Sequence, residues 1–504
     1  MKYFLGIDIG TYESKGVIID GNCQVIAMHA EGHGMENPLP NHYEHDAESV
    51  WWGDFCKISK ALLCKSGLCG NDIAAIGASA LGADLLPVDR NCRPLRKAIL
   101  YGIDARAHEE IKFLNAKYGE AQVLQFNGRP LCSNDIPPKI LWLKNHEPDI
   151  WENAYKLITG STYLTAKLTG QYVVDRFLAY GAFTPLYDPD SGHIDMNYCE
   201  VFCRPDQLAE VKDTTDIAGY VTHEAAGETG LVKGTPVIVG ADDSGAEAIS
   251  TGVLEVGDMM LQFGSSLYMI GLSPQMIKDS RVWSGGFIIP GIFSVQGGTN
   301  AAGTLTRWYR DQIFLDAVTE EVQTGMNAYQ TMMDGVDKIP PGADGLVTLP
   351  YIAGERTPLN DPHAKGVIFG LTMRHTRQHM YRSALESIGY TVAQHLDIFR
   401  DNDVVINRIL AVGGGTQNPY WVQMIADITG CTIDTAGVTI GASFGDAAMA
   451  AIGIGHFSGF PALKPYIKAG VSYRPDLGRN REYQKYRKVY DDLYQVTKNL
   501  MHTL

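Results

Sequence analysis

Apolar and polar positions along this chain follow a two-residue period in some segments and a helical period in others, which predicts strands and helices in alternation. The pattern is clearest at the N-terminus, where Lys2–Ile9, Lys15–Ile19 and Val25–His29 are successive apolar runs. Gly10-Thr11 and Asp20-Gly21 separate these runs and have the residue types of tight turns. We therefore predict an antiparallel meander with a polar glycine turn between its first two strands.

The same pattern recurs near the middle of the chain. Asp258–Phe263 and Leu267–Leu272 are short apolar runs, and the small polar turn Gly264–Ser266 lies between them. We interpret this repetition as a second domain that begins in the same way as the first.

The periodic pattern loosens between Ala248 and Gly257, where small and polar residues accumulate. We therefore predict two domains, at 1–250 and 251–504. Because strand and helix patterns alternate throughout, both domains are expected to belong to the α/β class.

Three segments show a strong helical period. These are Ala47–Cys64, Gln378–Phe399 and Arg481–Leu500. The last one places tyrosines and leucine on one face, a pattern typical of core packing.

The composition is that of an ordinary globular protein. The 504 residues include 42 Lys+Arg and 57 Asp+Glu, a formal net charge of −15, with 45% hydrophobic and 20% charged residues. These values exclude a disordered chain, collagen and a small disulfide scaffold. The acidic balance argues against nucleic acid or an anionic membrane as the main partner, since both require a basic surface. No apolar run reaches the roughly 20 residues that a membrane span needs.

The nine cysteines are odd in number and irregularly spaced, which favours reduced thiols and a cytoplasmic location. Asp8 interrupts the first apolar run, so this run does not resemble a signal peptide. Cys199 and Cys203 follow His193, but no second ligand pair stands at zinc-finger spacing. We expect no structural zinc.

The turn after the first strand, Gly6–Thr11 with Lys15 beyond it, is the first candidate for chemistry. A glycine turn can present backbone N–H groups to a phosphate. Asp8 could hold Mg²⁺ directly or through water, and Thr11 and Lys15 could reach phosphate oxygens. The alternative is a β-hairpin in which a buried aspartate accepts backbone hydrogen bonds. The loop is not a Walker A motif, because Gly-Lys-Ser/Thr does not occur at the required offset.

Two adjacent carboxylates, Asp242 and Asp243, follow the apolar run 237–241 and precede a helix start rich in small residues. Neighbouring side chains of an extended backbone point to different sides, so one of them could face a substrate hydroxyl. An N-cap of the following helix is the alternative interpretation.

The glycine cluster Gly413–Gly415, followed by Asn418, could let a ligand approach the backbone closely. Its spacing is not that of a dinucleotide-binding motif. On its own, the cluster is equally explained by a tight turn.

Together these segments resemble the FGGY family of carbohydrate kinases, within the superfamily of actin, hexokinase and the large heat-shock chaperones. The resemblance extends from Tyr3 to about Gly453. One position of the first family signature departs, since Ile136 stands where Pro, Ser or Thr is usual. The stretches that carry the resemblance, in the family's order, are Gly6–Lys15, Tyr101–Arg106, Lys139–His146, Gly354–Pro358, Gly366–Leu371 and His379–Glu386.

The resemblance implies two ribonuclease H-like domains, of the actin and hexokinase type, that flank a deep cleft, with ATP and Mg²⁺ as cofactors. It implies that Asp242 is the catalytic base and that Asp8 helps to hold Mg²⁺. Asp243 stands where the family usually has a sugar-binding Asn or Gln, which is a departure. The positions implied to bind the nucleotide are Gly10, Thr11, Lys15, Gly264, Ser265, Gly303, Gly414 and Asn418.

The segment that would meet the acceptor departs from the family. Similar xylulose kinases usually carry Gln-Met-His-Gly after the strand 73–79, and this chain has Ala80–Asp84 instead. The Arg-Glu pair of glycerol kinases is absent there as well. Asp84 could bond a sugar hydroxyl or be a solvated turn residue, and Asp104 is a further candidate for the sugar.

We therefore expect ATP-dependent phosphorylation of a hydroxyl of a ketose such as xylulose, or of a polyol. A kinase for an aldonate and an actin-like ATPase switch that ignores sugars are the alternatives. Asp242 and the second family signature favour the sugar kinase. The expected partner is a small sugar or polyol, with no nucleic acid and no membrane, and a homodimer is an option for the assembly.

Overall fold

The computed structural model describes residues 2–189, 191–437 and 440–504. In the first half of the chain the strands are β1 (Tyr3–Ile9), β2 (Glu13–Asp20), β3 (Val25–Gly32), β4 (Glu36–Leu39), β5 (His42–His45), β6 (Ile73–Ala80), β7 (Leu86–Val88), β8 (Ala98–Ile99), β9 (Lys156–Ile158), β10 (Val173–Asp175), β11 (Glu210–Lys212), β12 (Ile217–Tyr220), β13 (Pro236–Ile238) and β14 (Ala241–Asp242). The helices there are α1 (Gly53–Ser66), α2 (His108–Asn127), α3 (Ile136–His146), α4 (Pro148–Asn153), α5 (Gly160–Thr169), α6 (Arg176–Gly181), α7 (Met196–Phe202), α8 (His223–Thr229) and α9 (Asp243–Thr251).

In the second half the strands are β15 (Asp258–Phe263), β16 (Leu267–Ser273), β17 (Trp283–Gly286), β18 (Phe293–Thr299), β19 (Val347–Leu349), β20 (Val367–Phe369), β21 (Arg408–Gly413), β22 (Ile433–Ala436) and β23 (Ala469–Tyr473). The helices there are α10 (Gly303–Gln312), α11 (Leu315–Thr324), α12 (Ala328–Met332), α13 (Arg377–Asp401), α14 (Pro419–Thr429), α15 (Ala442–Gly453) and α16 (Leu477–Met501).

Two seven-stranded sheets of closely similar order form the framework. The first runs β12-β13-β6-β1-β2-β3, with β14 also on β6, and the second runs β17-β18-β16-β15-β21-β22-β23. In each sheet three antiparallel strands are followed by two parallel ones: β3, β2 and β1 by β6 and β13, and β18, β16 and β15 by β21 and β22. This repetition confirms the α/β class and the predicted second opening meander.

Strand β1 is covered on both faces, and glycine makes this possible. A Cβ on Gly6 would lie 2.0 Å from the Ser443 carbonyl oxygen in α15, and one on Gly16 of the neighbouring β2 would lie 2.3 Å from Ile58 Cγ2 in α1. Because real Cβ atoms do not approach so closely, only glycine lets both helices pack on this sheet. Helix α15 therefore lies on the first sheet, although it belongs to the C-terminal half of the chain. The division at 250/251 remains a prediction about chain segments.

The predicted helices are confirmed, with different starts. Residues Ala47–Trp52 form a π-helix that leads into α1. Helix α16 begins four residues earlier than predicted, because the Asp476 side chain caps it by accepting hydrogen bonds from the Gly478 and Arg479 N–H groups. The predicted face of α16 is buried at Tyr483 and Tyr490.

Across the described ranges, no helix combines the length and apolar character required to cross a membrane. All nine cysteines are free. None of the His, Cys, Asp and Glu side chains that the structure describes form a group of three or more arranged around a metal position.

Strand β6 and helix α15 meet at a buried polar contact. Ser79 Oγ lies 3.0 Å from Asp8 Oδ1 and 2.7 Å from Asp446 Oδ2. A hydroxyl has one hydrogen, so Ser79 donates to one carboxylate and must accept from the other. Burial and the nearby Asp8 raise the pKa of Asp446 well above its ordinary value. A neutral Asp446 that donates to Ser79, while Ser79 donates to Asp8, satisfies both contacts.

We predict that Asp446→Asn stabilises the fold more at pH 8.5 than at pH 5.5. A carboxyl whose pKa is raised by folding favours the native state at low pH, and this stability is lost as the pH rises through the native pKa. The amide can replace the neutral carboxyl as a donor and cannot ionise. The test compares the melting temperatures of variant and wild type at both pH values. A difference that does not change with pH would contradict the neutral Asp446.

Candidate active site

A cavity of about 420 Å³ opens between the two sheets, at the ends of β1 and β14. Its wall contains Asp8 and Thr11 from the first glycine turn and Asp242 and Asp243 from the start of α9. Strands β1 and β14 both flank β6, with Asp8 beside Ser79 and Asp242 beside Ala80. This strand register brings the two predicted chemical segments together.

Asp242 is both an N-cap and a residue of the cavity wall, so the two interpretations of the sequence do not exclude each other. It caps α9, because its Oδ1 accepts a hydrogen bond from the Gly245 N–H at 2.9 Å, and its Oδ2 accepts one from Ser244 Oγ at 2.6 Å. It is 5% exposed and lines the cavity. Burial raises the pKa of Asp242 to about 6, although these two hydrogen bonds act to lower it. The carboxylate is thus held in one orientation and is largely ionised at neutral pH.

Four carboxylates, those of Asp8, Asp242, Asp243 and Glu247, line the same cavity. Burial, together with the charges of Glu247 and Asp242, raises the pKa of Asp8 to about 7. The pKa of Asp243 is raised by burial and by the charges of Asp242 and Asp8. The carboxyl groups of this cavity therefore disfavour one another's ionisation, a repulsion that a bound cation would relieve.

These residues fit Mg²⁺ that arrives with ATP. Mg²⁺ takes oxygen ligands, retains several waters, and is commonly held by one or two carboxylates together with substrate phosphates. Asp8 and Asp243, which line the same cavity, would supply carboxylate oxygens for it.

A second cavity, of about 780 Å³, lies beside the second sheet and contains most of the predicted nucleotide positions. Its wall includes Gly264, Ser265, Gly303, Gly414 and Asn418. Two helices begin at this cavity, α10 at Gly303 and α14 just after Asn418. The positive ends of helix dipoles favour a phosphate there. The aromatic side chains of the wall offer faces for a purine base: Phe263, Tyr329, Tyr381, Tyr420 and Trp421.

Backbone hydrogen bonds connect the turn Gly264–Ser265 to the start of α10. The Gly303 N–H donates to the Gly264 carbonyl at 3.1 Å, and the Ala302 and Thr304 N–H groups both donate to the Ser265 carbonyl. A Cβ on Gly303 would lie 2.6 Å from the Gly264 carbonyl oxygen. Glycine at this position thus lets the turn and the helix start pack in direct backbone contact.

Four predicted residues lie outside the walls of both cavities. Asp84 is fully buried, accepts a hydrogen bond from the Gly160 N–H at 3.0 Å, and is therefore not the solvated turn residue that was one alternative. Asp104 is 2% exposed and binds Arg106 through both carboxylate oxygens. Neither carboxylate lines the cavity, although Gly82 and Ala83, just before Asp84, do. Lys15 forms a half-exposed ion pair with Glu13 at 3.1 Å.

Gly10 is also outside the cavity walls, and the structure shows a role for it within the turn. Its N–H donates to the Glu13 carbonyl at 3.2 Å, and a Cβ there would lie 2.7 Å from that oxygen. Glycine is thus required by the turn itself, before any ligand binds.

The structure adds polar residues that the sequence did not select. Arg356, in the stretch Gly354–Pro358, lines the acidic cavity with Tyr101 and Tyr268. Its Nη2 donates to the Leu267 and Thr299 carbonyls, whereas its buried Nε has no hydrogen-bond partner among the described residues. The family-like stretch around Arg356 was the sequence feature that could have indicated a functional role. Only the packing of segments far apart in the chain places this side chain at the cavity.

Comparison with known proteins agrees with this geometry. A sequence model of the FGGY family of carbohydrate kinases, N-terminal domain, matches residues 3–250, and the model of its C-terminal domain matches residues 259–454. The chain belongs to the FGGY family of carbohydrate kinases. The family resemblance and the two-domain fold expected from the sequence are thereby confirmed, as is the assignment to the kinases.

Relatives of this carbohydrate kinase match it along nearly its whole length. The xylulose kinase of Escherichia coli (strain K12) is 29% identical over 508 residues, with 99% of this chain and 100% of that protein covered. The gluconokinase of Bacillus subtilis (strain 168) is 26% identical over 506 residues, covering 99% of this chain and 96% of that protein. The crystal structure of xylulose kinase from Rhodospirillum rubrum has a TM-score of 0.91 at 26% identity and covers 99% of this chain and 100% of that chain.

We predict that Gly303→Ala weakens ATP binding by about tenfold, because overpacking a close contact costs about 1–3 kcal/mol and here displaces the Gly264–Ser265 turn. Calorimetry with a non-hydrolysable ATP analogue measures the effect. Gly227→Ala in α8 is the matched control, since its added methyl group meets open space. An unchanged affinity in folded Gly303→Ala would show that this turn does not bind the nucleotide.

Proposed function

We propose that this kinase transfers the γ-phosphoryl group of ATP to a hydroxyl of a small sugar, with a ketose such as xylulose as the preferred class of acceptor. The observation that carries the proposal is the Asp242 carboxylate, which Ser244 and Gly245 orient at the wall of the acidic cavity. That cavity, of about 420 Å³, is in the size range of small-molecule sites. The xylulose kinases among the relatives support a ketose.

In the proposed reaction, Asp242 accepts the proton of the attacking hydroxyl. A base is most effective when its pKa lies near the working pH, and the raised pKa of Asp242, about 6, suits this task. Because phosphoryl transfer depends chiefly on positioning and charge neutralisation, the protein needs no covalent intermediate. Mg²⁺, held through Asp8, would neutralise phosphate charge when bound.

The phosphate chain of ATP would lie between the Thr11 turn and the Gly264–Ser265 turn, which belong to different sheets. Neither turn alone can surround a triphosphate. Closure of the two sheets on ATP and acceptor would exclude water, which otherwise competes as the phosphoryl acceptor.

A sugar acid is the second candidate acceptor, and Arg356 is the observation that favours it. Its Nε lies buried beside the cavity without a hydrogen-bond partner among the described residues. A carboxylate is the natural partner of a guanidinium. The gluconokinase among the relatives supports the same alternative.

For the cellular location, the nine free thiols support a reducing compartment such as the cytoplasm.

We expect ADP release that depends on the acceptor. The assay compares D-xylulose, D-gluconate and glycerol with a reaction that lacks any acceptor, all with Mg²⁺ and ATP. The greatest stimulation by D-xylulose is the expected result, and stimulation by D-gluconate alone would replace the ketose with the sugar acid. Equal ATP turnover with and without every acceptor would favour the ATPase switch.

We predict that Asp242→Asn lowers kcat by about 10²–10⁴-fold, the range of a general base, and leaves the affinity for an ATP analogue nearly unchanged. Asp243→Asn is the matched variant, since it makes the same replacement of one carboxylate oxygen by an amide nitrogen at the neighbouring residue. A kcat for Asp242→Asn within a few-fold of wild type would remove Asp242 from the role of base. If Asp243→Asn alone were inactive, Asp243 would take that role.

A further inference from the structure

Two histidines lie beneath the first glycine turn and bind its backbone. His33 Nε2 is 3.0 Å from the Gly10 carbonyl oxygen, and His45 Nε2 is 3.1 Å from the Thr11 carbonyl oxygen. The backbone N–H of His33 donates to the Tyr12 carbonyl at 2.9 Å. Three successive carbonyl groups of the turn are thus held by the same pair of residues.

The hydrogen-bond partners determine which nitrogens of His45 carry hydrogen. Trp51 Nε1 can only donate, and it lies 3.1 Å from His45 Nδ1. Nδ1 is therefore the acceptor, and Nε2 carries the hydrogen that binds the Thr11 carbonyl. Burial lowers the pKa of His45 to about 4, in agreement with a neutral ring.

His33 has a different pair of partners. Its Nδ1 lies 2.9 Å from Asp54 Oδ2, and its Nε2 faces the Gly10 carbonyl. Although burial would raise it, hydrogen bonds from His33, Lys57 and Ser14 hold the pKa of Asp54 below its usual range. Both ring nitrogens of His33 therefore face oxygen atoms, one from the Asp54 side chain and one from the Gly10 backbone.

The arrangement has a direct consequence for phosphate binding. A carbonyl oxygen that faces a phosphate repels it, whereas one that binds a histidine ring is held in a fixed direction by that bond. His33 is only 7% exposed in its side chain, and the ring planes of His33 and His45 are 86° apart with centroids at 5.1 Å. The two rings are packed against each other and support the turn as a unit.

We propose that His33 and His45 are positioning residues of the first phosphate loop, which hold the carbonyl groups of Gly10, Thr11 and Tyr12 away from the phosphate chain of ATP. The inference rests on the proposed function, because it takes the turn to be a phosphate site. The anion concerned is the phosphate chain of the nucleotide, and the acceptor sugar is not involved.

The experiment uses two substitutions of His33, each of which can keep one of the two ring hydrogen bonds and removes the other. In His33→Gln the amide nitrogen can occupy the position of Nε2 and keep the bond to Gly10. In His33→Asn it can occupy the position of Nδ1 and keep only the bond to Asp54. We expect His33→Asn to bind a non-hydrolysable ATP analogue with Mg²⁺ about tenfold more weakly, the order of effect of losing one hydrogen bond, and His33→Gln less than threefold more weakly.

His29→Asn is the matched control, because His29 lies four residues earlier on β3, and its ring binds Glu31 and Lys65 instead of the turn. Melting temperatures are measured for all variants, so that a loss of fold is separated from a loss of affinity. Equal affinities of wild type and folded His33→Asn, or equal losses in His33→Asn and His33→Gln, would overturn the positioning role. A wild-type protein that does not bind the analogue would overturn the proposed function, and this inference with it.

Discussion

Negative charge buried at the ends of β1 and β14 is the constraint on which the arrangement of the cleft depends. Asp8, Asp242 and Asp243 come close together there because both strands pair with β6. Buried carboxylates repel one another, so each must be neutral, hydrogen-bonded or matched by a cation. The surroundings supply the first two solutions, through Ser79 and neutral Asp446 for Asp8 and through the start of α9 for Asp242.

The third solution, a cation, relates the repulsion among these carboxyl groups to the proposed phosphoryl transfer. Mg²⁺ carried by ATP would relieve the repulsion among the carboxylates, and the same carboxylates would orient it. A cluster of buried carboxyl groups disfavours an isolated anion such as free phosphate, but favours a phosphate chain that brings its own cation. The acidic net charge of the chain is thus compatible with binding a polyanion.

The turn at Gly10–Tyr12 and the turn at Gly264–Ser265 have equivalent places in two sheets of similar order, yet each is supported differently. The first is held from below by His33 and His45. The second is held by the backbone of α10 through Gly303. The histidine side chains at the first turn can be replaced by smaller groups that keep single hydrogen bonds. The backbone contact at Gly303 leaves no room for a side chain. The two turns therefore call for different substitutions in experiments.

Much of this protein was predictable from local pattern. The apolar runs with their glycine turns determined both opening meanders, since strand period and turn chemistry are properties of neighbouring residues. The same local logic placed Asp8 and Asp242 at strand ends and Gly264 in a turn, whereas Gly303 was selected only through the family resemblance.

Other features were decided only by the tertiary structure. Asp84 and Asp104 are as polar as Asp242, yet they do not line the cavity and are bound to Gly160 and to Arg106. Arg356 enters the cavity, and His33 reaches Gly10, through contacts between segments far apart in the chain. Helix α15 returns to pack on the first sheet because Gly6 leaves room for its backbone. The sequence by itself determines which residues can form strands and turns, but burial and partners depend on long-range packing, and these decide which carboxylate meets a ligand.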